Sequence, residues 1–325
     1  MSARLQRHLR LVERPAVQDS FHADMLAALQ GPRRSISPKY FYDQRGSELF
    51  DAICLLPEYY PTRTETAILQ QCAQEVATLA GPETELIEFG AGSLHKVRLL
   101  LDALERPARY VPIDISGEHL DAAARRLAQE FPGVELRPLV GDYTQPLPLP
   151  GGAPVRGMRL GFFPGSTIGN FDRPQALGFL RNAADLLRGG ALLLGADLVK
   201  DPAVLHAAYN DSAGTTAAFN LNLLVRANRE LGTDFDLEGF AHGAFYNSPQ
   251  RRIEMHLVSR RRQSVRLDGR SHVFEHGDTL HTEYSHKFSI ADLHALATEA
   301  GFTPGPVWTD PACLFSVSWL HAPRR

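Results

Sequence analysis

The fold class the sequence predicts is α/β: a parallel sheet with helices on both faces, interrupted by a second, inserted α+β domain. Three observations predict it. Short apolar runs alternate with stretches of helical spacing between residues 64 and 199. Several of those runs stop at a glycine or an acid. The alternation then gives way to a β-rich block, after which one more helix and two strands close the chain.

The elements follow in order. The first 60 residues are helical and turn-rich, with a loop over 35–38. Helical spacing over 46–56 ends at Pro57, and a helix over about 64–79 is broken by Gly81-Pro82. Strands are expected over 86–89, 110–114, 135–140, 160–163 and 191–196. The helices between them are expected over 97–104, 118–131 and 176–187. Such alternation implies parallel strands joined by crossover helices. Residues 202–231 are mostly helical, with a break at Gly214. Runs at 253–258, 264–267 and 273–275 are β-branched or alternating, with turns at Gly269 and Gly277. A helix over 290–300 precedes strands at 305–310 and 314–320, close enough in sequence to pair antiparallel. The expected domains are 64–199 plus 289–325 for the sheet and 1–63 plus 200–288 for the other.

Composition narrows the function classes. The 325 residues are 44% hydrophobic and 22% charged, as in ordinary globular domains. A formal net charge of −3 gives no footprint for nucleic acid, and Arg260-Arg-Arg262 reads as a solvated strand end. Three scattered cysteines, Cys54, Cys72 and Cys313, have neither disulfide nor zinc spacing, so no metal is expected. The N-terminal Arg4, Arg7 and Arg10 have no apolar run behind them, unlike a secretory signal. No segment approaches the roughly 18 apolar residues of a membrane span. A cytoplasmic protein is expected, monomeric and without nucleic-acid or membrane partners.

The strand ends carry the chemistry. Glu85-Leu-Ile-Glu-Phe-Gly-Ala-Gly-Ser-Leu-His-Lys96 is a buried strand running into a Gly-x-Gly turn at Gly90 and Gly92. A dinucleotide fingerprint needs a third glycine three residues after Gly92, and His95 stands there. The next strands end at Asp114, placed to accept from two ribose hydroxyls, and at Asp142, placed to accept from an adenine amine with Tyr143 stacking. Together these ends predict a ligand with an adenosine end, and His95 argues against a nicotinamide oxidoreductase.

The order of parts resembles the class I S-adenosylmethionine-dependent methyltransferases. Long motifs narrow the resemblance. They include Tyr40-Phe-Tyr-Asp-Gln-Arg-Gly-Ser-Glu-Leu-Phe50, Leu56-Pro-Glu-Tyr-Tyr-Pro-Thr-Arg-Thr-Glu65, Pro164-Gly-Ser-Thr-Ile-Gly-Asn170, Ala208-Tyr-Asn-Asp211 and Thr282-Glu-Tyr-Ser285. From about residue 35 to the C-terminus the chain resembles the histidine Nα-methyltransferases, which make hercynine for ergothioneine synthesis. The resemblance implies a Rossmann-like methyltransferase sheet with S-adenosylmethionine as methyl donor, no metal, and L-histidine as acceptor. It implies that Gly90, Gly92, Lys96, Asp114, Asp142 and Tyr143 bind the donor. Asn170 and Tyr209 would grip the substrate carboxylate, and Glu283 and Ser285 would read the imidazole. Tyr59 would line the pocket, Tyr284 would also contact the substrate, and Met255 would sit near the amine with Tyr42, the catalytic residue. Rival readings keep the chemistry on tryptophan or another primary amine, or reduce the chain to a binding module. Glu283 argues against an indole, because an unpaired carboxylate is costly to bury.

Overall fold

A computed structural model describes residues 17–92, 94–149 and 155–324. The N-terminal arginines and Ser93 of the glycine turn lie outside the described residues. The chain divides into two compact units, one of residues 61–199 and 287–325, the other of residues 17–60 and 200–286 among those described.

Along the chain, α1 (Val17–Gln30) and α2 (Gln44–Cys54) precede α3 (Tyr60–Ala80). Pro61 is tolerated in α3 because the first helical N–H groups have no partner to lose. Next come β1 (Glu85–Phe89), α4 (His95–Ala103), β2 (Arg109–Asp114), α5 (Gly117–Glu130), β3 (Glu135–Leu136), β4 (Leu139–Val140), β5 (Arg159–Phe163), α6 (Arg173–Leu186) and β6 (Ala191–Asp197). The second unit resumes with α7 (Pro202–Tyr209), α8 (Thr215–Leu231), β7 (Phe240–Asn247), β8 (Arg252–Ser259), β9 (Gln263–Leu267), β10 (Arg270–Phe274) and β11 (Thr279–His286). Then α9 (Ile290–Glu299), β12 (Thr303–Thr309) and β13 (Phe315–His321) complete the first unit.

The first unit is one sheet in the order β12-β13-β6-β5-β1-β2-β3, with β4 also pairing β2. Strands β1 to β6 are parallel, and β13 runs antiparallel to both β6 and β12. The single strand expected over 135–140 is two short ones, because Pro138 between them has no N–H for the ladder. The pleat sends successive side chains to opposite faces. Leu86 and Leu193 pack with Ile68, Val76, Val97 and Leu127 of α3, α4 and α5. Ile87, Leu192 and Leu194 pack with Phe179, Leu180 and Leu293 of α6 and α9. Both faces being covered explains why these strands read as unbroken apolar runs. At the strands' starting ends, Arg109 bonds Glu85 at 2.6 Å and Glu135 at 2.9 Å, and Arg159 bonds Glu85 at 2.8 Å. That network ties strands together at the end of the sheet away from the glycine turn.

The second unit holds a three-stranded antiparallel sheet, β11-β8-β7, and the hairpin β9–β10. Helix α8 lies on β7 and β8 and packs on α2. Strands β7 and β11 have no counterpart among the sequence expectations. Polar and aromatic residues alternate weakly there, so neither run stands out from loop.

Trp319 of β13 is fully buried in the face shared with α3. Trp319→Ala is expected to cost about 3–5 kcal/mol by opening a cavity. Urea unfolding checks this, and a loss below about 1 kcal/mol would remove β13 from the stabilising core.

Candidate active site

In the first unit, β1 lies between β2 and β5, where the strand order reverses and open α/β sheets bind ligands. The backbone N–H groups of Gly90 and Ala91 both donate to the Ile113 carbonyl, at 2.9 and 3.1 Å. Gly90 has φ 72°, and a Cβ there would stand 3.5 Å from the Tyr143 ring. Gly92 has φ 50°, and a Cβ there would meet nothing within 4 Å. At Gly92 the backbone therefore faces open space. Leu94, which caps α4, is also left-handed at φ 59°, a costly conformation for a branched residue.

Asp114 accepts from Gly92 N–H at 3.1 Å and from Ser116 N–H at 2.9 Å. Its carboxylate is thereby fixed between the glycine turn and the start of α5. Asp142 accepts from Thr144 N–H at 2.9 Å and from its hydroxyl at 2.5 Å. Tyr143 packs edge-on against Phe163 and Phe179, with centroids 5.6 and 6.0 Å away. Burial pushes its phenol well above the usual tyrosine range. Asn170 ends a 3₁₀ turn, Thr167–Asn170, that follows β5. Bare backbone at Gly92, two strand-end carboxylates and an aromatic side chain suit the adenosine end of S-adenosylmethionine.

Lys96 does more than open α4. Its ammonium bonds the carboxylate of Glu65, a residue with 0% exposure. Glu65 also accepts from Gly165 N–H, at 2.9 and 3.1 Å to its two oxygens. Glu65 thereby holds α4 to the loop that carries Asn170. Sequence reading gave Glu65 no role, although it closes one of the long motifs.

Glu88 of β1 is buried and bonded by the Tyr110 hydroxyl. Burial raises its carboxyl to about 8, outweighing the Tyr110 bond and the Lys96 charge. Because this acid's folded value lies above its ordinary 4.5, its stabilising effect is complete below about pH 4.5 and is lost as pH rises through about 8. Unfolding of the ligand-free protein should therefore lose stability, relative to Glu88→Gln, on the order of 1 kcal/mol per pH unit between about pH 5 and 8. Parallel profiles for the two proteins would mean that Glu88 is ionised in the fold.

The second unit gathers its own set. Asp43 caps α2 by accepting from Gly46 N–H at 2.7 Å. A Cβ at Gly46 would lie 1.7 Å from the Phe41 carbonyl, so only glycine lets α2 seat there. This fixes the backbone around Tyr42, whose ring meets Phe50 and Phe219 edge-on at 5.6 and 5.8 Å. Phe50 is 6.3 Å from Tyr59, and Tyr59 is 6.4 Å from Tyr209. The Tyr209 hydroxyl donates to Ser285 Oγ at 2.7 Å. Burial, then the neighbouring Tyr209, raises the Tyr59 phenol well above its ordinary range. Glu283 pairs with Met255 across the β11–β8 ladder and Ser285 with Ile253, so the four share one sheet face. All four are buried.

Tyr284 stands apart from this face. It sits between Glu283 and Ser285 and faces the other way, as the pleat requires. Its ring lies under the Arg252 guanidinium at 3.7 Å and against His281 at 3.9 Å. The structure therefore brings Tyr42, Tyr59, Tyr209, Met255, Glu283 and Ser285 into one neighbourhood and leaves Tyr284 out of it. Phe50, which closes the first of the long motifs, and Phe219 of α8 also belong to it, and sequence reading gave neither a role. Among the described residues, no group of three or more His, Cys, Asp or Glu is arranged to hold a metal ion.

A mainly parallel sheet closed by the antiparallel β12–β13 pair, with a Gly-x-Gly turn bonded to the Asp114 carboxylate on the next strand, is the arrangement expected of a class I S-adenosylmethionine-dependent methyltransferase. Comparison with known proteins narrows the class. Residues 21–322 match the family model for histidine-specific, S-adenosylmethionine-dependent methyltransferases, and the chain belongs to that family. It is 44% identical over 306 residues to the histidine N-alpha-methyltransferase of Mycolicibacterium smegmatis, covering 92% of this chain and 94% of that one. Its identity to the Mycobacterium tuberculosis protein of the same name is 43% over 301 residues, covering 91% and 92%. A more distant relative, 26% identical over 91% of this chain and 93% of its own length, is the 4-dimethylallyltryptophan N-methyltransferase of Claviceps purpurea.

Proposed function

We propose that this enzyme transfers three methyl groups from S-adenosylmethionine to the α-amine of L-histidine, giving hercynine for ergothioneine biosynthesis. The observation that carries the histidine reading is the sheet face holding Glu283, Ser285 and Met255 beside Tyr209. An ionised Glu283 accepts from an imidazole N–H, and the Ser285 hydroxyl serves the second ring nitrogen. A tryptophan derivative, the substrate named for the Claviceps purpurea relative, has no second ring nitrogen for the Ser285 hydroxyl to meet.

When bound, S-adenosylmethionine supplies a methyl group already activated on a sulfonium. The chain's own residues then have to orient and deprotonate. We assign Gly90, Gly92, Lys96, Asp114, Asp142 and Tyr143 to the donor and Asn170 and Tyr209 to the substrate carboxylate; the transfer itself requires amine, methyl and sulfur in line. An α-amine with a reference pKa of about 8 is largely protonated at neutral pH, and the attacking form is neutral. Tyr42 is the group we assign to accept or relay that proton. The aromatic surroundings of Tyr42, Phe50 and Phe219 tolerate the cation that grows on the methylated nitrogen, whereas a carboxylate would trap it. Cys54, Cys72 and Cys313 are free thiols, which suits a reducing compartment, and we take the enzyme to work as a cytoplasmic monomer. No described helix is long and apolar enough to cross a membrane.

Mass spectrometry of reactions with each of the twenty amino acids should show a gain of three methyls on histidine alone, and no gain on histidine would overturn the reading. Glu283→Ala is expected to raise KM for histidine about 10- to 100-fold, with KM for S-adenosylmethionine changed less than about twofold. Tyr42→Phe should lower kcat by about 100-fold with little change in KM for histidine, read from steady-state rates.

A further inference from the structure

Strand β11 carries one residue too many. Leu280 pairs with Leu257 and His281 with His256, and the register then shifts before Glu283 pairs with Met255. Thr282 is the extra residue. In an unbroken strand, Glu283 and Ser285 would fall on the His281 face and Tyr284 on the opposite one, because the side-chain period is two. The bulge reverses that parity. It turns Glu283 and Ser285 to the Met255 face and sends Tyr284 to the face of Arg252 and His281.

A buried polar chain surrounds the bulge. The Thr282 hydroxyl lies 2.8 Å from Asn220 Oδ1 and 3.1 Å from the Met255 carbonyl, two acceptors for its single proton. Asn220, on α8, and Thr282 are both completely buried. The Asn220 amide nitrogen donates to the His256 carbonyl at 3.0 Å and to His242 Nδ1 at 2.9 Å. His242 Nε2 is 2.9 Å from the Tyr209 carbonyl. A carbonyl only accepts, so Nε2 carries the ring proton and Nδ1 accepts from Asn220. That tautomer sets the Asn220 amide with its oxygen toward Thr282. The chain thus begins at the backbone of Tyr209 and ends at the bulge beside Glu283.

We infer that Thr282, Asn220 and His242 are positioning residues for acceptor recognition: they lock the bulge that presents Glu283 and Ser285 to the substrate. This rests on the assignment of Glu283 and Ser285 to the imidazole, and the test separates the two. Steady-state kinetics would compare Thr282→Val, Thr282→Ser and Glu283→Ala with the unaltered enzyme. Thr282→Val keeps the shape and removes the hydroxyl. It should raise KM for histidine about tenfold and leave KM for S-adenosylmethionine within about twofold, and Thr282→Ser should restore histidine affinity. If Glu283→Ala leaves KM for histidine unchanged, the imidazole assignment fails and this inference falls with it. If Glu283→Ala raises it while Thr282→Val behaves like the unaltered enzyme, or raises both KM values together, the positioning role alone is overturned. Should Thr282→Val not fold, Asn220→Asp, which keeps the volume and loses the amide donor, carries the same expectation and the same overturning outcomes.

Discussion

Glu65 is a carboxylate with no exposure to water, and the first unit's binding end is organised around it. A buried charge is costly unless it is paired and hydrogen-bonded. Here the Lys96 ammonium and the Gly165 N–H satisfy it. The same carboxylate limits its neighbours, since a Cβ at Gly195 would lie 2.0 Å from Glu65 Oε1. One side chain on α3 thus constrains the start of α4, the loop after β5 and the middle of β6. The Asn170 turn is further held from β6, where Asp197 N–H donates to the Ser166 hydroxyl at 2.9 Å. Ser166 is left-handed at φ 58°, a conformation that the surrounding bonds maintain.

The second unit solves a different problem. On β11 a carboxylate, Glu283, and a hydroxyl, Ser285, share one face, while the residue between them is a tyrosine. Alternation puts that tyrosine on the far face, where Arg252 and His281 receive it. Burial takes the His281 imidazole down to about 4, so it stays neutral there, with Ser35 Oγ 2.7 Å from its Nδ1. The near face is then left to Glu283, Ser285 and Met255, with the rings of Tyr42, Phe50, Tyr59 and Tyr209 linked edge to edge beside it.

Much of this was legible in the chain. Strands covered on both faces announce themselves as apolar runs, which is why β1, β2, β5 and β6 lie where their residues predict. The Gly-x-Gly turn and Asp114 fall together because strand ends stop at special residues. The weak points have physical causes too. Pro138 hides inside an apolar run and splits it. Strands β7 and β11 carry histidine, glycine and glutamate, so their pattern reads as loop until the partners are present.

The α/β class and, through long motifs, the family are legible in the sequence alone. These rest on local signals: period, turn residues and short strings of side chains. Only the tertiary structure decided that Lys96 is bound to Glu65, that Glu88 is held as a neutral acid, and which way β11 faces. A salt bridge between residues 31 apart, a burial-driven proton affinity and the parity of a bulged strand all depend on what another element brings near. No window along the chain contains that information.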